Sequence, residues 1–449
     1  METCVSEKYF IKTFGCQMNV YDSSRIADML ENEGYTATSK QSDADIVIFN
    51  TCHIREKAAE KLFSDLGRAQ LIAQERQENE GKTTIIGVVG CVVQAEDTQI
   101  MKRAPFVDFA VGPLVYHKIP KLLRDIRAHR RQEGVVDTDF PAISKFDFLP
   151  ENKAQGACSY LAVQEGCNNF CTYCVVPYTR GAEYSRPVAE VLKEARRLIA
   201  TGTLEINLLG QNVNSYHGED ENGQERGLAY LLHKIAELDG LKRIRYTTSY
   251  PADMNDELIN CHRDIPILMP YLHLPVQSGS DKILKAMNRR HTSGDYLRVV
   301  EKLYRANPDL KMSSDFIVGF PDETEADFEA TLSIVKQVQY IQAFSFKYSR
   351  RPGTPAAVME NQVEEKVKKE RLEILQNLLF SYQEKFNQAC VGKVMPVLLE
   401  QKGRHKGQLI GRTPYMQNLH IETDGANINK IINAKVISAT TNSLSGKEL

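Results

Sequence analysis

The stretch Gln164-Glu165-Gly166-Cys167-Asn168-Asn169-Phe170-Cys171-Thr172-Tyr173-Cys174-Val175-Val176-Pro177 sets three cysteines at C-x-x-x-C-x-x-C spacing. It follows an apolar run, Tyr160 to Val163, whose pattern predicts a strand. Three thiols so close can be oxidised, bind zinc or hold an iron–sulfur cluster. Structural zinc uses four closed ligands, typically in C-x2-4-C pairs. No fourth Cys or His follows at such spacing, and the next histidine is His217. A cubane cluster normally takes four protein thiolates. Three would leave one iron open, and an open iron is a place where a ligand can bind and react.

A second set of cysteines is dispersed. Tyr9-Phe10-Ile11 runs into Phe14-Gly15-Cys16, Asp45 to Thr51 into Cys52, and Thr83 to Gly90 into Cys91. Between these apolar strands lie helical patterns, Asp22 to Glu33 and Lys57 to Glu78. Short, continuously apolar strands separated by helices indicate a parallel sheet covered on both faces. Each of the three strands ends in a cysteine. Ligands of open α/β sheets bind outside the carboxyl ends of the strands. Cys16, Cys52 and Cys91 are therefore expected to form a second three-thiolate site. The alternative is three small buried hydrophobes, but equivalent placement at three strand ends favours a ligand set.

These cysteines need three domains to position them. Residues 7–125 are expected to form an N-terminal parallel-sheet α/β domain, and 126–152 a charged linker with little periodicity. Residues 153–384 alternate again. Strands are expected at Ser159–Glu165, Glu205–Leu209, Arg243–Thr248, Tyr271–Pro275, Met312–Val318 and Ala343–Lys347, with helices between them. Six such units predict a partial (β/α)6 barrel, whose strand ends form the active face. A long amphipathic helix, Asn361 to Gln388, follows with Leu372, Leu375, Leu378 and Leu379 as its buried stripe. Residues 385–449 read as a small C-terminal β-barrel with strands Val394–Leu399, Gln408–Arg412, Asn418–Glu422 and Asn429–Ala439.

At 449 residues, with 42% hydrophobic and 25% charged residues, the chain has the composition of a globular protein with a normal core. The net charge of −2 excludes a global field for nucleic acid. The C-terminal barrel differs, since residues 385–449 carry nine Lys and Arg against four Asp and Glu. Arg404, His405, Lys406 and Arg412 flank a turn there, with Tyr415 and His420 nearby. A basic small barrel with interleaved aromatics suits RNA, and an ordinary solvated surface is the alternative. Met1-Glu2-Thr3-Cys4 opens no signal peptide pattern, and no apolar run is long enough to span a membrane. Ten cysteines without a secretory pattern point to a reducing, cytoplasmic setting.

The C-x-x-x-C-x-x-C motif after a strand resembles the radical S-adenosylmethionine (SAM) superfamily. There the open iron chelates the amino and carboxylate groups of SAM, and an electron cleaves SAM to a 5′-deoxyadenosyl radical. The C-terminal region resembles the TRAM domain, a small RNA-binding barrel. Together the three parts resemble the methylthiotransferases over nearly the whole chain. The matching residues are Thr13-Phe14-Gly15-Cys16-Gln17-Met18-Asn19, Asn50-Thr51-Cys52, Gly90-Cys91, and Cys167 through Tyr178-Thr179-Arg180-Gly181. Leu208 through Tyr216, His273 through Ser280 and Arg350-Arg351-Pro352-Gly353-Thr354 match further. Gly319-Phe320-Pro321-Asp322-Glu323-Thr324 departs, with Asp322 where the family carries Gly.

The resemblance implies a SAM-binding [4Fe–4S] cluster on Cys167, Cys171 and Cys174 and an auxiliary [4Fe–4S] cluster on Cys16, Cys52 and Cys91. Cys158, Cys261 and Cys390 match no motif and are expected to be packing residues, with Cys4 a terminal one. SAM contacts are expected from Tyr173, from Gly210, Gln211 and Asn212 at the end of the second core strand, from Gln277 and Ser278 at the fourth, and from Ser314 and Asp315 on the fifth. Capping and turn roles are the alternative for the polar ones. Arg180 would meet substrate phosphate or a SAM carboxylate, or else make a salt bridge. Arg404, Lys406 and Arg412 would meet RNA.

The implied reaction puts a methylthio group on carbon 2 of N6-isopentenyladenosine at position 37, in the anticodon stem-loop of tRNA. That carbon has no acidic proton, so a radical route replaces acid–base chemistry. A flavodoxin- or ferredoxin-type electron donor and a sulfur donor are implied partners, with no membrane. Related enzymes act on threonylcarbamoyladenosine tRNA or on an aspartate of a ribosomal protein. An iron–sulfur electron carrier with an RNA-binding tail is the rival from another class.

Overall fold

The structure is a computed structural model that describes residues 6–52, 56–129, 134–141, 143–154, 156–423 and 427–449. Cys4 lies outside the described residues. The chain forms two compact units. The first comprises Met1–Lys153 and Val175–Ala182, the second Ala154–Cys174 and Glu183–Leu449.

The first unit is built on a six-stranded sheet in the order Thr36–Ala37, Lys8–Thr13, Ile46–Asn50, Ile85–Val89, Phe109–Val111, Val135–Asp137. Every neighbouring pair is parallel. Ile46–Asn50 and Ile85–Val89 are buried throughout because side chains alternate between two covered faces. Ile46, Ile48, Ile85 and Val89 join one core cluster, and Val47, Phe49, Ile86 and Val88 the other. The register sets Thr13 beside Asn50 and Asn50 beside Val89. The three central strands thus end in line, just before Cys16, Cys52 and Cys91.

The expected linker 126–152 is corrected. Its residues Val135–Asp137 are the sixth strand of the sheet, pairing with Phe109–Val111. Lys145, in a short 3-10 turn, is buried against Asp22. A three-residue edge strand is too short to show a period, and the partner of Lys145 is remote in sequence.

The second unit opens with two parallel three-stranded sheets. One holds Cys158–Ala162, Glu205–Leu209 and Arg243–Thr247. The other holds Tyr271–His273, Lys311–Val318 and Gln342–Lys347. A parallel bridge from Ile244 to Leu268 links them into the partial (β/α)6 barrel. Helices Val188–Ala200, Leu228–Ala236, Asp256–Asp264, Ser293–Ala306 and Glu325–Val338 pack around it with one shared core. Thr324 and Asp327 form a capping box at the last of these. The expected strand Ser159–Glu165 breaks at Val163. Gln164–Glu165 turns aside to pair antiparallel with Tyr184–Ser185.

Helix Glu365–Ala389 buries Leu375 and Leu379, with Leu372 and Leu378 packed beside them. It starts four residues later than expected. Asn361 instead takes a left-handed turn, φ 52°, and donates to the Asp322 carboxylate at 2.7 Å. Asp322 is itself left-handed, φ 64°. That conformation explains why glycine suits this position and why a short polar side chain can replace it.

The chain ends in a closed five-stranded barrel of Val394–Lys402, Gln408–Arg412, Asn418–Glu422, Leu444–Glu448 and Ile431–Ala439. The strand Leu444–Glu448 was not apparent in the sequence, because its Leu-Ser-Gly-Lys-Glu pattern carries one large apolar side chain. The barrel is fastened to the amino ends of the core strands. Arg243 donates to the carbonyls of Arg412 and Pro396 at 3.0 and 2.8 Å. Arg245 donates to those of Pro414 and Thr413 at 2.8 and 3.0 Å. Among the described residues no helix is long and apolar enough to cross a membrane.

Candidate iron–sulfur and cofactor sites

In the second unit, the loop holding Cys167, Cys171 and Cys174 follows Gln164–Glu165 at the carboxyl end of the first core strand. Gln164 is fully buried, and its Oε1 accepts from the backbone N–H groups of Gln211 and Asn212 at 2.9 and 3.2 Å. Gln211 returns the bond, its Oε1 accepting from Gly166 N at 2.5 Å. Gly210 is glycine because a Cβ there would lie 2.4 Å from Gln164 Oε1. The far side of the loop is tied by Thr172 N to Met287 O at 3.1 Å and Ala356 N to Thr172 O at 2.9 Å. The second bond accounts for the Arg351-Pro352-Gly353-Thr354 stretch, which delivers Ala356 to the loop.

The three core thiols are partly exposed. Asn169 donates to the Cys167 sulfur at 3.6 Å, and Arg289 to the Cys171 sulfur at 3.9 Å. N–H groups and a guanidinium aimed at sulfur suit thiolates. Tyr173 packs with Ile283, Met287, Phe320 and Tyr348, and burial holds its phenol well above the usual range.

The strand-end polar residues divide into two sets. Asn212 donates to Asp253 at 2.7 Å, and Asp253 pairs with Arg290 at 3.0 Å. These three, with Glu183, Ser215 and His217, line an open cavity of about 480 Å³ beside Asn168, Asn169 and Phe170 of the cysteine loop. Gln277 holds φ 74° at the fourth strand end, where its N–H and C=O bond to Asp315 and Ile317. Asp315 faces His273 Nε2 at 3.5 Å. Ser278 and Ser314 are fully buried and committed to the backbone, Ser278 to Ser280 N at 3.2 Å and Ser314 to Val276 N at 3.0 Å. Each of these two hydroxyls accepts from a backbone N–H. Gln164, Arg289, Asp253 and Arg290 escaped the sequence reading.

In the first unit, Cys16, Cys52 and Cys91 come together as the strand register requires. Gly15, φ 121°, sits where a Cβ would lie 2.4 Å from Cys52 Cβ. Cys16 caps helix Gln17–Asn32, and its thiol donates to Asn19 Oδ1 at 3.3 Å. Behind it the Asn19 side chain donates to Asn50 Oδ1 at 2.9 Å, and the Asn50 amide donates to the Asn19 backbone carbonyl at 2.8 Å. A hydrogen bond from Cys52 lowers Cys16 to about 6, with help from Arg180. Burial pushes Cys91 up, opposed by Arg180.

Arg180 does not stand at a surface. It is buried in the first unit, paired with Asp22 at 2.6 Å, and its charge opposes the effect of burial on Cys91. Of its two expected roles, the salt bridge is the one observed.

Arg404 and Lys406 are exposed on the small barrel. Arg412, expected to meet RNA, is only partly exposed on the outer face of its strand, its Nε 3.1 Å from Glu400 near Cys158 and Tyr160. The Glu400 carboxylate holds it there, and that partner is twelve residues away in the sequence.

Among the described residues, Cys158, Glu205 and Glu400 bring ligand atoms within 4.8 Å of one another. Arg243, Arg245 and Arg412 already neutralise that group, which leaves it structural. Neither cysteine trio is drawn so tightly, whereas one zinc ion with Zn–S bonds of roughly 2.3 Å would need it. Two three-thiol sets, the core one with N–H donors at sulfur, fit clusters of several irons. Burial raises Cys158, Cys261 (to about 11) and Cys390, so these thiols are inert.

Comparison with known proteins agrees with this division. Residues 8–112 match Uncharacterized protein family UPF0004, residues 161–335 the Radical SAM superfamily and residues 388–449 the TRAM domain. The chain is 53% identical over 444 residues to tRNA-2-methylthio-N(6)-dimethylallyladenosine synthase of Agrobacterium fabrum, covering 98% of this chain and 97% of the relative. Among solved structures, the radical SAM methyltransferase TsrM of Kitasatospora setae, with cobalamin and a [4Fe-4S] cluster bound, aligns with a TM-score of 0.57 at 13% identity. That alignment covers 79% of this chain and 77% of TsrM. The cobalamin-dependent radical enzyme OxsB aligns with a TM-score of 0.52 at 12% identity, over 84% of this chain and 58% of OxsB. At these identities the likeness is one of fold.

Proposed function

The chain belongs to the radical SAM tRNA methylthiotransferases, and we propose that it adds a methylthio group to carbon 2 of N6-isopentenyladenosine at position 37 of tRNA. The observation that carries this reading is the gathering of two separate three-thiol sets in a chain 53% identical, end to end, to an enzyme of that name. One set suffices to cleave SAM. A second fits a reaction that must also carry sulfur.

Cys167, Cys171 and Cys174 would hold a [4Fe–4S] cluster with one open iron for SAM, and Cys16, Cys52 and Cys91 an auxiliary [4Fe–4S] cluster. When bound, these groups supply SAM cleavage to an adenosyl radical and a sulfur for methylation. The chain's own residues do the positioning. The reciprocal Gln164–Gln211 clamp fixes the core loop, and Arg289 supplies positive charge at Cys171. Asn212, Asp253 and Arg290 offer amide, carboxylate and guanidinium groups to a polar ligand beside that loop. Arg404 and Lys406, exposed on the small barrel, would contact the phosphates of the anticodon stem-loop. A flavodoxin- or ferredoxin-type donor would provide electrons, and a sulfur donor would replenish the auxiliary site, in the cytoplasm.

The test is nucleoside mass spectrometry after anaerobic reconstitution with SAM, a reductant and tRNA bearing isopentenyladenosine. The expected product is the 2-methylthio nucleoside. Release of 5′-deoxyadenosine without that product would retain the radical SAM chemistry and refute this substrate, pointing to threonylcarbamoyladenosine tRNA or a ribosomal protein.

A further inference from the structure

Arg180 lies six residues beyond the last core cysteine, yet it belongs to the compact unit of the N-terminal sheet. It ends the short helix Val176–Arg180, which packs on helix Cys91–Glu96. Only 3% of it is exposed. Its Nη2 donates to Asp22 Oδ2 at 2.6 Å, and the other oxygen of that carboxylate lies 3.3 Å from Lys145 Nζ. Lys145 is anchored in turn by the Pro113 carbonyl at 2.9 Å and sits over the Tyr116 ring at 4.6 Å. Asp22 lies on the helix that Cys16 caps. A planar fork of donors can serve a carboxylate and a sulfur together, which an ammonium cannot do in fixed geometry. The buried carboxylate thus fixes the guanidinium on a helix that packs against the one Cys91 begins.

We propose that Arg180 is a positioning residue of the auxiliary cluster, held by Asp22 and Lys145 so that its positive charge stays beside the cluster and raises that cluster's reduction potential. The inference rests on the reading that Cys16, Cys52 and Cys91 hold a cluster. Its physical basis is general. Reduction adds negative charge to a cluster, and a cation or hydrogen bond at a ligand sulfur stabilises the reduced form. Asp22 works in the opposite sense, because its carboxylate offsets part of the Arg180 charge. The two residues therefore shift the potential in opposite directions when neutralised, although both belong to one ion pair. A purely structural ion pair has no such signature, since breaking it from either side loosens the same packing.

The experiment uses the full chain with Cys167, Cys171 and Cys174 changed to Ala, reconstituted without oxygen, so that any cluster is the N-terminal one. Iron content is measured first, and the cluster is then titrated with reductant and followed by electron paramagnetic resonance. R180Q should lower the midpoint potential and D22N should raise it, with R180K between R180Q and the parent. Equal midpoints for R180Q and parent at full iron content would overturn the proposal, as would shifts of the same sign in R180Q and D22N. If R180Q takes up no iron, D22N and R180K decide. A D22N midpoint at or below the parent's overturns the proposal. A parent that takes up no iron would refute the auxiliary cluster itself, a separate outcome.

Discussion

The two cysteine trios reach their geometry by opposite routes. The core trio lies on one loop, Cys167 to Cys174, fastened at a few points by Gln211, Met287 and Ala356. The N-terminal trio comes from three strand ends whose register is set by the whole sheet. The first depends on local hydrogen bonds and the second on the fold. A change in the sheet should therefore disable one site and spare the other, and a change in the loop clamp should do the reverse.

The largest expected effect comes from Gly15→Ala. The new methyl would collide with Cys52 at 2.4 Å, on a backbone of φ 121° that L side chains rarely adopt. Iron analysis should show the N-terminal iron lost, with release of 5′-deoxyadenosine intact. Equal loss at both sites would show that the trios are not independent. On the other side of the comparison, Gln164→Ala strips the acceptor from two backbone N–H groups at the second strand end. Each group left unsatisfied costs about 1–3 kcal/mol. A lower Tm and faster loss of iron from the core loop are expected, with the N-terminal iron retained.

A smaller effect falls on the small barrel. Arg404→Ala with Lys406→Ala should weaken tRNA binding uniformly across sequences. The slope of log affinity against log salt should drop by roughly 0.7–0.9 for each phosphate no longer neutralised. Arg412→Ala should instead act on stability, because it leaves Glu400 without its guanidinium. Equal salt slopes for the parent and the double variant would exclude this surface as the RNA-binding one.

The smallest effect separates thiols within one trio. In metal-free protein, the Cys52 hydrogen bond holds Cys16 at about 6, so Cys16 stays a thiolate as pH falls from 8 and loses that character only near 6. Burial keeps Cys91 a neutral thiol over the same range. Only the thiolate is nucleophilic. Peptide mass mapping after brief iodoacetamide treatment at pH 7 should find Cys16 alkylated and Cys91 untouched.

The periodic elements were legible in the sequence. Ile46–Asn50 and Glu205–Leu209 are continuously apolar or buried strands between helices, and pattern alone located them. Side-chain partners were harder to read. Gln164 looks like one more polar residue after a strand, and its clamp with Gln211 exists only once two strands lie side by side. Arg289 reaches Cys171 across more than a hundred residues of chain. Arg180 read as a ligand for phosphate or a SAM carboxylate because it closely follows the core cysteine loop, while its partner Asp22 is 158 residues away. The sixth strand, Val135–Asp137, carries too few residues for a period to emerge.

The measurement that bears most directly on two trios with separate tasks uses the variant with Cys16, Cys52 and Cys91 all changed to Ala. It is reconstituted and assayed with SAM, reductant and isopentenyladenosine tRNA, and both products are counted in one sample. Release of 5′-deoxyadenosine should continue while the 2-methylthio nucleoside disappears. Methylthio product from that variant would contradict the account.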